Sequence, residues 1–554
     1  MNYHDQYHSW LQYLSSNQPD AASQLAMMDG SEIKEAFGDP LSFGTAGLRG
    51  KVGWGPGRLN SFSICRASRG FARYILTCDA PRRVGIAYDT RESSAGFARM
   101  AAASFLEQGL EVYLFPKTTP TPLLSYAVRQ LGLGWGVVIT ASHNPGNHNG
   151  YKCYDRRGVQ LLPEESSAVS ALIAGEPQLP ELPHLQIENH PAFHWISEEL
   201  ESQYLMDMLA GLPNHGLGHR HGQELPIVFT PLYGSGANLI EQALQKQGFF
   251  RSYFLQMQPH PTFGNLVSPN PEEESVYWEA LELAGKVGAR LIMATDADAD
   301  RLGVMTPVEG NWQLLSGNQI AALMLDYLLE NSPEAKDSAL ITSIVSGRLA
   351  QDIAHQRGLP VLQTLTGFKF IGDLAEKRSF FFGYEESCGY LFGNLSRDKD
   401  AVQAAALTAE MALYWLRKGK TLYQRWQELS SQCGWYGEST VNLDLSREKA
   451  TFAMDRLAKE NNFSGELRLA SVEDYRQGFN PGDHGHNCHR PQAQMLALNF
   501  EGGHSCLIRP SGTEDKVKCY FSGSGTSEEE ANRWMERVKE AVLVIIGENF
   551  PPGT

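Results

Sequence analysis

The feature that most constrains this chain is a unit of pattern that returns three times. Arg83-Val-Gly-Ile-Ala-Tyr-Asp-Thr-Arg91 is an apolar strand running into a turn, and helical periodicity follows over 95–108. Leu225-Pro-Ile-Val-Phe-Thr-Pro-Leu-Tyr-Gly-Ser-Gly236 restarts the order of strand, glycine turn and helix, and Ala339-Leu-Ile-Thr-Ser-Ile-Val-Ser-Gly-Arg348 restarts it again. The returns are spaced by about 110–140 residues. Strand and helix in alternation imply a parallel or mixed sheet with helices on its faces, and the three returns suggest a repeated α/β domain, although the identities are few and any α/β protein offers such resemblances. Further strands are expected at Glu111 to Phe115 and Val137 to Ile139, and helical segments within residues 1–40. A polar stretch over 175–225, with a helix near 196–210 and a loop from Pro213 to Glu224, marks the first domain boundary. From about Tyr436 the character changes. Val441-Asn-Leu-Asp-Leu alternates like a strand with one wet face, and a last helix is expected at Ser527 to Ile546, which together read as a smaller α+β domain.

With 554 residues the chain is long enough for about three to five domains. A net charge of −16 argues against a nucleic-acid or anionic-membrane partner, so an anionic small substrate needs a local basic pocket. The eight cysteines are scattered without a C-x-x-C pair and read as reduced thiols, not as a disulfide framework or zinc site. No apolar run approaches ~18 residues, and the N-terminus lacks a charged-then-apolar signal. A cytoplasmic protein without a membrane span is expected.

Four loops carry chemistry. In the first, the apolar run ends at Thr140-Ala141 and delivers Ser142 into a turn-rich segment, Asn144 to Gly150, whose residues do not easily continue a strand. Alone this is more readily a surface turn than a presented nucleophile. The second is Ala294-Thr-Asp-Ala-Asp-Ala-Asp-Arg-Leu-Gly303, after the strand Leu291 to Met293. Asp296, Asp298 and Asp300 repel one another unless a cation neutralises them, and a hard divalent ion suits oxygen ligands. It is not an EF-hand, because Arg301 and Pro307 stand where that loop needs Gly and Glu. The third is Gly383-Tyr-Glu-Glu-Ser-Cys-Gly-Tyr390, whose carboxylates and hydroxyl suit vicinal sugar hydroxyls and equally fit an exposed acidic turn; Leu365-Thr-Gly-Phe-Lys369 precedes it and Arg397-Asp-Lys-Asp400 follows. The fourth is Ile508-Arg-Pro-Ser-Gly-Thr-Glu-Asp-Lys-Val-Lys518. Arg509, Ser511, Gly512 and Thr513 there make a phosphate cradle without the P-loop pattern. A glycine-rich segment, Phe43-Gly-Thr-Ala-Gly-Leu-Arg-Gly50, offers Arg49 to an anion, although a glycine-rich loop with one arginine is more often just a loop.

In chain order, Thr140-Ala-Ser-His-Asn-Pro145, Asp296-Ala-Asp-Ala-Asp-Arg301, Gly383-Tyr-Glu-Glu-Ser387 and Arg509-Pro-Ser-Gly-Thr513 resemble the motifs of the α-D-phosphohexomutase superfamily, the phosphoglucomutase and phosphomannomutase enzymes. The resemblance implies four domains around a central cleft: three related α/β domains with mixed sheets and a smaller α+β C-terminal domain. The expected bounds are 1–215 for the phosphoserine loop, 216–313 for the metal loop, 314–433 for the sugar loop and 434–554 for a phosphate-binding lid. It implies that Ser142 carries a phosphoryl group and, with Asp296, Asp298 and Asp300, binds Mg²⁺. Glu385 and Ser387 would hold sugar hydroxyls, and Thr366 and Gly367 would sense sugar orientation, with Lys369 beside them. Arg509, Ser511, Gly512, Thr513 and Lys518 would grip the phosphate that stays, with Arg301 also on the substrate side and Arg49 near the phosphoserine. The base that activates the reacting hydroxyl is left among His143, Lys152 and Lys399; His143 equally fits a structural hydrogen bond within its loop. Ala401 stands where the family usually has glycine. So do Ala297 and Ala299, and because alanine resists positive φ a slightly different metal loop with intact ligands is expected.

The implied reaction interconverts glucose 1-phosphate and glucose 6-phosphate through a phosphoserine and a bisphosphorylated sugar, with glucose 1,6-bisphosphate as activator. Gly-Tyr-Glu-Glu-Ser-x-Gly-Tyr, Thr-Gly-Phe-Lys-Phe and the chain length are most similar to the bacterial phosphoglucomutase and phosphopentomutase branch. A phosphopentomutase or phosphomannomutase is the alternative, and a sugar-phosphate-binding protein without catalysis comes after these. A serine hydrolase built on Ser142-His143 lacks the G-x-S-x-G elbow. Small sugar phosphates are the expected partners; monomer or homodimer is left open.

Overall fold

The structure is a computed structural model that describes residues 2–44, 47–332, 338–460, 463, 466–477, 492–510 and 516–547. Two compact units contain them. The first comprises Met1–Leu314, Gly372–Lys377 and Cys388–Tyr414; the second comprises Leu315–Ile371, Arg378–Ser387 and Trp415–Thr554.

The three repeated patterns each form the same thing, a central strand flanked by two parallel neighbours. In the first unit Arg83–Tyr88 pairs in parallel with Glu111–Leu114 and with Trp135–Ile139. Ile227–Thr230 does the same with Ser252–Phe254 and Leu291–Thr295. In the second unit Ala339–Ser343 lies between Val361–Thr364 and Phe380–Glu385, again parallel to both. Trp135–Ile139, Leu291–Thr295 and Ala339–Ser343 are buried at every residue. Helices cover both faces of such sheets, so the strands read as unbroken apolar runs without alternation.

Antiparallel strands complete the mixed sheets. His148–Tyr154 returns beside Trp135–Ile139 and carries Leu48–Lys51 on its far side, while Leu302–Val308 returns beside Leu291–Thr295. The Ser142 loop and the three-aspartate loop therefore occupy equivalent turns, each at the C-terminal end of a parallel strand. Open α/β sheets present ligand sites at such ends.

The chain resumes a strand at His148, two residues before the expected turn-rich segment closes. Gly150 makes this possible: a Cβ there would lie 2.3 Å from the carbonyl oxygen of Thr140 and 2.9 Å from that of Leu48. The stretch from Pro213 to Glu224, expected as loop, contains a short helix, Leu217–His221.

The end of the chain forms a five-stranded antiparallel sheet in the order Trp435–Leu443, Val517–Gly525, Ser505–Pro510, Leu496–Phe500, Leu469–Asp474. Trp435–Leu443 alternates between partly buried and exposed residues along most of its length, the pattern of a sheet with one wet face. The helix Glu528–Gly547 packs its Met535, Val538 and Val542 into the core of this sheet.

Residues 388–414 fold with the first unit, not with the strands before them. Arg301 and Gly389 form an antiparallel bridge, the amide of Leu302 donates to the Cys388 carbonyl at 3.0 Å, and the amide of Arg397 donates to Ser125 Oγ at 2.8 Å. This brings Lys399 to the metal-loop side of the molecule.

Candidate active site

Strand Trp135–Ile139 stops at Thr140, and Ser142 follows with φ 55°, a left-handed conformation that few L-residues adopt. The side chain that emerges is buried. Ser142 Oγ donates to Asp296 Oδ2 at 2.5 Å, and His143 Nδ1 stands 3.4 Å from the same oxygen.

The second loop turns on its own first carboxylate. Asp296 Oδ1 accepts the backbone amides of Asp300 and Arg301, both at 3.1 Å. Asp298 Oδ2 accepts from Lys152 Nζ at 2.7 Å and from Thr121 Oγ1 at 2.7 Å. Asp300 Oδ2 faces Lys152 Nζ at 3.3 Å and Lys399 Nζ at 3.2 Å. All three carboxylates are buried, and one oxygen from each lies within 4.8 Å of the others. Asp298 Oδ1 and Asp300 Oδ1 are buried without a hydrogen-bond partner. Buried, unsatisfied carboxylate oxygens are expensive unless a cation meets them. Two such atoms, in a group whose third carboxylate meets Ser142 Oγ, fit a hard divalent ion, so this group could hold a metal.

The electrostatics divide the aspartates. Burial, then the charges of Asp300 and Asp298, push Asp296 well above the usual carboxylate range. Burial also opposes ionisation of Asp300, but Lys399, Lys152 and Arg301 outweigh it and hold that group low. At Asp298, burial and Asp300 are likewise outweighed, here by Lys152 and Thr121. Burial disfavours the Lys152 ammonium, yet Asp298 and Asp300 raise its pKa.

The alanine-substituted loop keeps its three aspartates together, and of its two alanines only Ala299 is left-handed. Ala299 adopts φ 50° and Ala297 and Ala299 are fully buried, so packing imposes the left-handed turn on a residue with a Cβ.

Arg301 donates to Glu272 Oε1 through Nη1, while its Nε is buried without a hydrogen bond and stands 3.9 Å from Asp300 Oδ1. Arg49 stands opposite Gly150 on the neighbouring strand. Burial lowers its pKa against the charges of Asp298 and Asp300, and its Nε is also unpartnered.

The second unit carries the other predicted residues. Glu385 ends strand Phe380–Glu385, and its Oε1 accepts the Gly367 amide at 2.6 Å, which joins the two sugar-side loops. Thr366 Oγ1 is buried without a partner. Lys369 is the second residue of the helix Phe368–Lys377; burial, then the charge of Arg509, push its pKa down to about 8. Ser387 is half-buried in the turn after Glu385. Arg509 and Lys518 are direct cross-strand partners and share one face of the sheet. Ser511, Gly512 and Thr513 lie outside the described residues.

Sequence reasoning missed Thr121, which reaches Asp298 across 177 positions, and the groups beneath the serine loop, Asp89, Arg91 and Thr140. The signal for the latter was available in Asp89-Thr-Arg91, an acid and a base closing a buried strand.

The chain matches the phosphoglucomutase/phosphomannomutase family in four successive pieces: alpha/beta/alpha domain I over residues 40–179, domain II over 203–309, domain III over 316–433 and the C-terminal domain over 441–541. It is 34% identical over 513 residues to a phosphoglucomutase of Staphylococcus epidermidis, which covers 89% of this chain and 92% of that protein. A phosphoglucomutase of Staphylococcus aureus strain USA300 is 33% identical over 509 residues, 89% of this chain and 91% of that one. Among solved structures, the open form of pp63/parafusin (phosphoglucomutase) from Paramecium superimposes with a TM-score of 0.72 at 18% identity, over 92% of this chain and 96% of that one. A phosphoglucomutase/phosphomannomutase family protein from Burkholderia thailandensis gives 0.68 at 18% identity, over 92% and 98%. These two likenesses concern the fold. The four family domains and the relatives at one-third identity concern descent: the chain belongs to the phosphoglucomutase/phosphomannomutase family, and it is a mutase.

Proposed function

We propose that the protein interconverts glucose 1-phosphate and glucose 6-phosphate, with Ser142 as the phosphoryl carrier. The observation that carries this reading is Ser142 Oγ at 2.5 Å from Asp296 in a buried group of three carboxylates, two of which keep an oxygen without a hydrogen bond. A hydroxyl oxygen of the sugar phosphate attacks phosphorus on phospho-Ser142. The Oγ–P bond breaks, the hydroxyl proton passes to a base, and a sugar bisphosphate forms. In the second half Ser142 Oγ attacks the other phosphate, and the first sugar oxygen to have carried phosphate regains a proton. His143, Lys152 and Lys399 are the candidates for the base, and Lys152 and Lys399 also keep Asp300 ionised.

Asp296, Asp298, Asp300 and Ser142 would hold Mg²⁺, which supplies charge stabilisation on the transferring oxygens. Arg49 adds a cation on the serine side and Arg301 one toward the substrate. The second unit would recognise the rest of the substrate. Glu385 and Ser387 take sugar hydroxyls, Thr366 and Gly367 set the loop that reads orientation, and Lys369, Arg509 and Lys518, with Ser511, Gly512 and Thr513, hold the phosphate that stays. Glucose 1,6-bisphosphate would recharge Ser142. The relatives named phosphoglucomutase support glucose over mannose or pentose. The seven cysteines among the described residues are without disulfides, which supports a cytoplasmic enzyme.

The test is a coupled assay for glucose 6-phosphate formed from glucose 1-phosphate with Mg²⁺ and a trace of glucose 1,6-bisphosphate. Turnover is expected, EDTA should abolish it, and Ser142→Ala should abolish it while sugar-phosphate binding persists. An inactive wild-type protein refutes the reading; an active Ser142→Ala protein means another residue carries the phosphate. Comparing kcat/KM for glucose, mannose and ribose 1-phosphates ranks the substrates.

A further inference from the structure

Beneath the serine loop lies a buried cation whose hydrogen bonds all serve that loop or the acid beside it. The Arg91 side chain is 1% exposed and that of Asp89 is 0%. Arg91 Nη2 donates to the carbonyl oxygens of Ser142 and Asn144, both at 2.7 Å. Nη1 donates to those of Pro145 at 2.6 Å and His148 at 2.9 Å. Nε donates to Asp89 Oδ2 at 2.9 Å. A guanidinium has five N–H donors, and five acceptors meet them here. The Phe263 ring covers one face, its centroid 4.9 Å from Cζ.

Asp89 closes the arrangement from the other side. Its Oδ2 also accepts from Thr140 Oγ1 at 2.7 Å, and Thr140 Oγ1 accepts the Ser142 amide at 2.8 Å. Asp89 Oδ1 accepts from Ser94 Oγ at 2.5 Å and from the Arg91 amide at 3.1 Å. A ring therefore runs from Asp89 through Thr140 to the Ser142 N–H, and from the Ser142 carbonyl through Arg91 back to Asp89. The peptide groups on both sides of Ser142 are fixed while its φ is 55°, a conformation serine does not hold unaided. That rotation aims Oγ at Asp296.

We propose that Arg91, through this ring, is a positioning residue for phosphoryl transfer, holding Ser142 in the one backbone conformation that delivers Oγ to the metal loop. The proposal rests on the mutase reading above. Arg91 does not touch the reacting atoms; it acts through the Ser142 carbonyl. Its planar fork matters more than its charge, because a lysine ammonium cannot reach four carbonyls and a carboxylate together.

The experiment compares the full-length wild type with Arg91→Lys, Arg91→Met and Thr140→Val, which cuts the other limb of the ring. Val169→Ala serves as a control in the fully buried core of the same sheet's helices. Three quantities are read on the folded fraction: kcat and KM for glucose 1-phosphate with Mg²⁺, and the rate at which glucose 1,6-bisphosphate phosphorylates Ser142, followed by intact mass. For Arg91→Lys and Thr140→Val, kcat and the phosphorylation rate should each fall about 100-fold, the scale of an ångström-sized misplacement, with KM within about threefold of wild type. Val169→Ala should lose thermal stability and keep kcat. A purely structural Arg91 predicts the Val169→Ala pattern in every variant, and that result overturns the proposal, as does full rescue by Arg91→Lys. If Arg91→Met does not fold, the lysine and Thr140 variants decide. A wild type inactive on every sugar phosphate refutes the mutase reading; an active wild type matched by Arg91→Lys refutes only the role given to Arg91.

Discussion

The left-handed alanine in the metal loop makes a quantitative demand on its neighbour. Ala299 is fully buried at φ 50°, and its methyl points at Gly236, the residue that caps the helix Ala237–Gln247. Gly236 has φ −72°, a conformation open to any residue, so it is glycine for lack of space and not for lack of backbone freedom. A Cβ at position 236 would stand 2.8 Å from the Ala299 methyl, 3.3 Å from Thr295 Oγ1 and 3.4 Å from Ile240 Cδ1. Carbon atoms pack best at about 3.5–4.0 Å, so only the first contact is a severe clash. Gly236→Ala alone should destabilise by about 1–3 kcal/mol, the range for overpacking a full core. Ala299→Gly alone should change little. It releases about 1–2 kcal/mol of left-handed strain, against about 0.5–1 kcal/mol of added chain entropy and about 0.8 kcal/mol for the lost buried methyl. The double variant removes the clash, so the two changes should couple favourably by about 1–2 kcal/mol. Urea denaturation of the four full-length proteins in metal-free buffer measures this, with coupling taken from midpoints at constant slope. If Gly236→Ala costs the same in both backgrounds to within about 0.5 kcal/mol, the two methyls do not compete and the packing account of this loop is wrong.

Two further outcomes follow from the second unit, and one from the first. Lys369, held down to about 8 by burial and Arg509, is charged below that pH and neutral above it. Affinity for an anionic substrate should therefore be present at neutral pH and lost as pH rises through about 8. A kcat/KM profile for glucose 1-phosphate from about pH 6.5 to 9.5 should show this limb, and Lys369→Met should erase it. Arg509 and Lys518 are like charges directly opposed on one sheet face. Lys518→Ser should stabilise the metal- and substrate-free protein by about 0.5 kcal/mol, less at high salt, while raising KM; a fall in thermal midpoint would contradict this. Asp298→Asn leaves Thr121 a partner and takes a charge from the metal group, so the Mg²⁺ concentration for half-maximal activity should rise at least about tenfold, as titration of activity would show.

The sequence announces some of this site and conceals the rest for a physical reason. Asp296, Asp298 and Asp300 are legible because three like charges after a buried strand require a cation, whatever surrounds them. Ser142 is legible only in their company, since a serine in a turn has a harmless explanation. The strand that returns at His148 was hidden by residues that favour turns. Gly150 serves there not as a breaker but as the space through which two carbonyls approach. Residues 388–414 join the first unit partly through backbone atoms, Leu302 to Cys388 and Arg301 to Gly389, which carry no residue-type signature, and partly through side-chain pairs such as Tyr204 with Asp400 and Lys399 with Asp300, whose members lie far apart in the chain. Arg91 is concealed in the same way, because four of its five acceptors are peptide carbonyls that any sequence would offer. What does betray it is the strand it follows. Val84, Ile86 and Ala87 are wholly buried, so an Asp and an Arg two and four residues beyond Ala87 have little access to water and must be satisfied by protein. One partner satisfies the other, and the remaining donors must go to carbonyls that come near. In a strand-end loop, those are the carbonyls of the neighbouring strand's loop, and here that is the loop of Ser142. A charged pair placed directly after a buried parallel strand thus points to the adjacent loop as the thing it holds.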